Sequence, residues 1–134
     1  MKRRIAVFAL PLSFLLSVVA CSPLMVGNVS LTGSDTGKAF NVSNGTVLTV
    51  TLESNPTTGY SWTENATLSR SGVVQQSGHE YILPSQPIPG RGGQEVWTFK
   101  AVSPGTAVIS MDYKRPFEPT NPPANTFNVT VTVQ

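Results

Sequence analysis

Four stretches of this chain alternate apolar and polar residues with period two: 46–53 (TVLTVTLE), 95–102 (EVWTFKAV), 106–113 (TAVISMDY) and 126–133 (TFNVTVTV). Successive side chains of an extended chain point to opposite faces, so such alternation predicts strands with one covered and one wet side. In EVWTFKAV one face collects Trp97, Phe99 and Ala101. In TFNVTVTV, Phe127, Val129, Val131 and Val133 oppose Asn128, Thr130 and Thr132. Weaker strand patterns occupy 29–31, 39–42, 60–65 and 73–83.

No helical period separates these runs, and strands recur at roughly 8–12-residue spacing, as in a sandwich. One-sided alternation favours antiparallel pairing. The expected fold is therefore all-β, an immunoglobulin-like antiparallel β-sandwich of about seven strands.

The front of the chain reads differently. Lys2, Arg3 and Arg4 precede an apolar stretch, 5–19, that is short for a bilayer span, so 1–20 reads as a signal peptide. The stretch ends in Val18-Val19-Ala20-Cys21, similar to a bacterial lipobox, whose cysteine takes a diacylglycerol and becomes the new N-terminus. A second acyl chain on the freed amine would make the attachment stable. Residues 21–27 are then a lipidated Cys21 and a short tether, and 28–134 one domain. An exported lipoprotein of the bacterial cell envelope is expected, held at a membrane by its lipid and, in a Gram-negative cell, at the outer membrane or periplasmic face.

Cleavage changes the charge. The whole chain has nine Lys and Arg against seven Asp and Glu. Without Lys2, Arg3 and Arg4, six basic residues face the same seven acidic ones, a net charge of about −1, and no basic face remains for nucleic acid. With Cys21 acylated no thiol is left for a disulfide, so burial and strand pairing alone must hold the domain.

Enzyme chemistry is hard to assemble from what remains. The one cysteine is spent, and a metal would have to be held by one histidine and scattered carboxylates. His79, beside Glu80 on a polar strand edge, reads as a solvated surface residue. Glu53, Glu64, Glu95 and Asp112 lie on different strands with no pairing visible, so a glycosidase pair is open but unsupported. No enzyme, cofactor or metal is expected. Asn-X-Ser/Thr sequons at Asn28, Asn41, Asn44, Asn65 and Asn128 are what a chain rich in Asn, Ser and Thr generates by chance, and carry no function here.

Three inter-strand segments carry more. They are Asn55, Pro56, Thr57, Thr58, Gly59 and Tyr60; Gly90, Arg91, Gly92 and Gly93; and Arg115, Pro116 and Phe117, followed by Glu118. As a set, Pro-Thr-Thr-Gly-Tyr before Ser61-Trp62, the Gly-rich turn before Gln94-Glu95-Val96-Trp97, and Arg115-Pro116-Phe117 resemble the chagasin-type inhibitors of papain-like cysteine peptidases. The likeness runs from about Leu48 to the C-terminus. It implies a sandwich whose three loops line up at one end and enter the peptidase's active-site cleft, with the peptidase as protein partner and the inhibitor a monomer. Phe117 stands where the family usually carries Trp.

The residue types suit that task. Pro56 and Gly59 preset a loop shape, Thr57 and Thr58 offer small hydroxylic tips, and Gly92 and Gly93 would let backbone approach a cleft wall. Phe117 and Arg115 are types that carry interface energy, although Arg115 also has Glu118 in reach. Tyr60 and Trp62 read as strand residues packing the loop base. The alternative to an inhibitor is a lipid-anchored immunoglobulin-like adhesion or envelope-assembly module that binds something other than a peptidase.

Overall fold

The computed structural model describes Leu24, residues 26–86 and residues 88–134; the signal-peptide and Cys21 readings lie outside these residues. The described chain forms nine strands: β1 Asn28–Thr32, β2 Ala39–Val42, β3 Val47–Ser54, β4 Ser61–Trp62, β5 Thr67–Leu68, β6 Val74–Ile82, β7 Gly93–Ala101, β8 Gly105–Lys114 and β9 Asn125–Val133. They make two sheets, β1-β3-β7-β6 and β2-β9-β8-β4, with β5 also paired to β8.

The period-two faces pack between the sheets. Trp97, Phe99 and Ala101 of β7 are fully buried, as are Leu48 and Val50 of β3, Ile109 of β8 and Val131 of β9. All belong to one continuous apolar core.

Two features depart from the pattern. The strand expected over 60–65 is cut short to β4, with β5 forming separately beyond it, because backbone between them is spent on side chains. The Trp97 indole N–H reaches the carbonyls of Thr63 and Glu64 at 3.2 and 3.1 Å, and the Gln76 amide brackets Ala66 N–H and Glu64 O at 2.8 and 2.9 Å. The sheets are also not wholly antiparallel: β1 runs parallel to β3, and β2 parallel to β9. A parallel pair needs a crossover between its strands. Here β1 and β2 supply it by lying on different sheets, with a 3-10 turn, Gly33–Asp35, carrying the chain from one to the other. Asp35 closes that turn, accepting Thr32 N–H at 2.9 Å and the Lys38 ammonium at 3.1 Å. The Thr32 N–H, then Lys38, holds its carboxyl below the usual carboxylate value.

The registers fix which loops share an end. Ser54 faces Gly93, and Ile82 faces Gln94, so the β3–β4 and β6–β7 connections meet. Ser61 faces Lys114 and Tyr113 faces Asn125, which brings the β8–β9 connection to the same end. At the opposite pole Val47 faces Lys100, Val74 faces Ala101 and Gly105 faces Val133. Both ends of the domain leave there: Gly27 O accepts Val47 N–H, and Gln134 N–H reaches Val42 O.

Candidate functional site: a three-loop wedge

The first loop is built around Asn55. Its carbonyl accepts Thr58 N–H at 3.2 Å and the Thr58 hydroxyl at 2.7 Å; its side-chain oxygen accepts the Thr57 hydroxyl at 2.5 Å. Pro56–Thr58 form a 3-10 turn with proline at its start, where a missing N–H costs nothing. Gly59 ends the turn at φ 81°, the left-handed region that a β-carbon disfavours. The two threonine hydroxyls are thus engaged within the loop and shape its exposed tip.

Asn55 also ties the loops together. Its amide donates to Gly90 O at 3.0 Å, reaching the second loop, and its backbone N–H donates to the Tyr113 hydroxyl at 3.1 Å, at the base of the third. In the second loop Gly92 packs so tightly that a β-carbon would lie 2.7 Å from Ser54 O and 2.9 Å from Asn55 Cβ. Glycine is required here by the neighbouring loop, a reason other than the approach of a cleft wall. Gly93 opens β7 opposite Ser54. Arg91 is exposed, its guanidinium 3.5 Å from the Gln86 side chain.

In the third loop Phe117 is 69 % exposed, so it faces solvent and does not cover the core. One edge of its ring lies over Gly59, where a β-carbon would meet it at 3.2 Å. Pro116 is exposed beside it. Arg115 turns the other way: its guanidinium lies 4.5 Å over the Tyr60 ring and 3.7 Å from Glu118. The Tyr60 ring in turn stacks on Tyr113 at 5.5 Å. Arg115 and Tyr60 thus form the seam between loops one and three, and Phe117 with Thr57, Pro56 and Arg91 forms the outward rim.

Below the rim runs an aromatic column. Tyr113 tilts on Trp62 at 5.1 Å, Trp62 meets Trp97 edge-on at 6.3 Å, and His79 lies on Trp97 at 5.0 Å. Trp62 is buried and its indole donates to Glu53 O at 2.9 Å, as a residue packing the loop base should.

His79 is the residue sequence reasoning misplaced. It is no solvated surface histidine: only 17 % of its side chain is exposed, and its Nε2 lies 2.9 Å from Glu95 Oε1. Glu95 is buried, with its other oxygen accepting Trp62 N–H at 3.1 Å. A signal was present, since Glu95 falls in phase with Trp97, Phe99 and Ala101 on the covered face of β7. An ionisable residue there demands a partner.

Among the described residues no cluster of three or more His, Cys, Asp or Glu could hold a metal ion.

Residues 41–131 match the model of a family described as chagasin family peptidase inhibitor I42. The chain belongs to the chagasin family. Membership places it among peptidase inhibitors and not among enzymes. Amoebiasin-1 of Entamoeba histolytica is 31% identical over 108 residues, 79% of this chain and 100% of that protein. Chagasin of Trypanosoma cruzi is 27% identical over 92 residues, 65% of this chain and 81% of its own. In fold, the chain is similar to the cysteine protease inhibitor EhICP2 of Entamoeba histolytica, with TM-score 0.73 at 22% identity, covering 81% of this chain and 97% of that one. PbICP-C, solved in complex with falcipain-2, gives TM-score 0.55 at 23% identity over 83% of this chain and 91% of its own. The family match thus runs from within β2 to within β9.

Proposed function

We propose that this protein reversibly inhibits papain-like cysteine peptidases by inserting its three loops, with residues 55–60, 90–93 and 115–117, into the active-site cleft. The observation that carries the reading is the wedge itself: three loops from both sheets meet at one end and are cross-tied through Asn55. Family membership supports the class of target.

The tip resists cleavage by its shape. Peptidases of this kind read extended substrate, whereas Pro56 and Asn55 carbonyls are engaged inside a 3-10 turn by Gly59 and Thr58 N–H groups. Occlusion needs no reactive group, and a loop held in its bound shape before contact loses little conformational freedom on binding. Phe117 supplies an exposed aromatic anchor at the rim. Arg115, packed on Tyr60, contributes by holding two loops together more than by touching an enzyme.

Titrating papain with the protein should give stoichiometric, reversible loss of activity, while trypsin is unaffected. Equal inhibition of both, or of neither at micromolar excess, overturns the reading. The same proposal includes a lipid anchor on Cys21 in a bacterial envelope. Cys21→Ala should then abolish membrane fractionation and retain the precursor's mobility on a gel; unchanged fractionation removes the anchor.

A further inference from the structure

β4 is the edge strand of its sheet, and only two residues long. Alternation sends Thr63 N–H to Asp112 O on β8, so Trp62 N–H points off the open edge. That donor is buried, and a buried amide without an acceptor is strongly destabilising. Glu95 Oε2 supplies the acceptor at 3.1 Å, from a strand in the opposite sheet. Its other oxygen is fixed by His79 Nε2 at 2.9 Å, and the histidine ring packs on Trp97 at 5.0 Å, tilted by 41°. The carboxylate is thereby held at both of its oxygens.

We propose that Glu95, oriented by His79, is the positioning residue that sets the wedge before it meets a peptidase. It touches none of the three loop tips. It pins β4 at Trp62, directly after the Asn55–Tyr60 loop, and so ties the exit of that loop to β7, whose first residue, Gly93, ends the second loop. One side chain therefore ties the exit of the first loop, in one sheet, to the sheet that carries the second loop. A loose Trp62 backbone would leave the exit of the first loop held by ring contacts and a two-residue edge pairing, and binding would first have to select the closed arrangement. The inference rests on the inhibitor reading above.

Three measurements on the full protein test it: hydrogen exchange at the Trp62 amide, association and dissociation rates with papain, and the melting temperature. Glu95→Ala should speed Trp62 exchange and weaken inhibition, each by about tenfold or more, the size of one lost hydrogen bond to a charged acceptor. The loss should fall mainly on the association rate, unlike that of a contact residue, which acts on dissociation. Glu95→Gln keeps an acceptor for Trp62 N–H and should restore both values. His79→Phe keeps a ring on Trp97 while freeing the carboxylate, and should show the same pattern more weakly; it serves if Glu95→Ala does not fold.

Unchanged exchange at Trp62 in the folded variants overturns the proposal. So does a fall in melting temperature with normal inhibition per folded molecule, which would make Glu95 merely structural. If wild type fails to inhibit papain, the peptidase reading falls, and the exchange data still decide whether Glu95 holds β4.

Discussion

The pole opposite the wedge is closed mainly by main chain, and the wedge mainly by side chains. At the far pole Gly45 N–H reaches Ala101 O at 2.8 Å, Ala101 N–H reaches Thr46 O at 2.9 Å, and Gln134 N–H reaches Val42 O at 3.0 Å. At the wedge the links between sheets are Glu95 to Trp62 N–H, the Trp62 indole to Glu53 O, the Trp97 indole to Thr63 and Glu64, and the Tyr113 hydroxyl to Asn55 N–H. Main-chain bonds tolerate many sequences because every residue other than proline carries them. Side-chain links name their residues. The same nine strands thus carry one end held more by main chain and one end where more residue identities are constrained by architecture before any partner is considered.

Substitutions on either side of this divide should separate stability from inhibition. The largest effect belongs to the shared core: Phe99→Ala empties a fully buried site and should cost about 3–5 kcal/mol by denaturant titration, with the surviving folded fraction inhibiting normally. A loss of inhibition beyond the unfolded fraction would show that core and wedge are not separable. Next comes the tip, where Thr57→Arg should weaken papain inhibition by about a hundredfold. Its free energy of unfolding should stay within about 0.5 kcal/mol of wild type, because the residue is an exposed loop position. An equal fall in both would make the tip a structural element.

Phe117 sharpens the contrast within the wedge. Phe117→Ala should cost about 2 kcal/mol of binding, roughly thirtyfold, with little change in melting. Phe117→Trp should hold or improve affinity, since a 69 % exposed ring has room to grow. Equal inhibition by wild type and Phe117→Ala would remove this residue from the rim. The smallest effect lies outside the three loops, at the turn between β1 and β2. The Asp35 carboxyl is held below its ordinary value of 3.8 by Thr32 N–H and Lys38, so the folded state favours its ionised form. The stabilisation is complete above that ordinary value and is lost as pH falls through the lower folded one. Asp35→Asn should therefore lower the melting temperature slightly at neutral pH and flatten its decline on acidification below about pH 4; an unchanged acid limb would mean that the turn closes without the charge.

What the sequence disclosed follows the same divide. Long strands with a clean period, such as 95–102 and 126–133, were legible because one buried face dictates every second residue. The three loops were legible by likeness, as a set. The split at 63–66 was not, because it depends on the Trp97 indole and the Gln76 amide arriving from another sheet. Nor was the pair His79 and Glu95: the two are diagonal neighbours across a hairpin, since His79 faces Trp97 and Tyr81 faces Glu95. That relation exists only once the register is known. The parallel course of β1 and β2 was hidden for a similar reason, because alternation reports which face is covered and not which sheet covers it.

Gly27 and Gln134 both lie at the pole remote from the loops, so the points of attachment at either end of the sandwich are behind the wedge. Where the inhibitor is stationed and what it recognises are then separate variables. A lipid, a longer stalk or a second domain could change the distance at which it meets a peptidase, and the surface that makes the encounter would be the same.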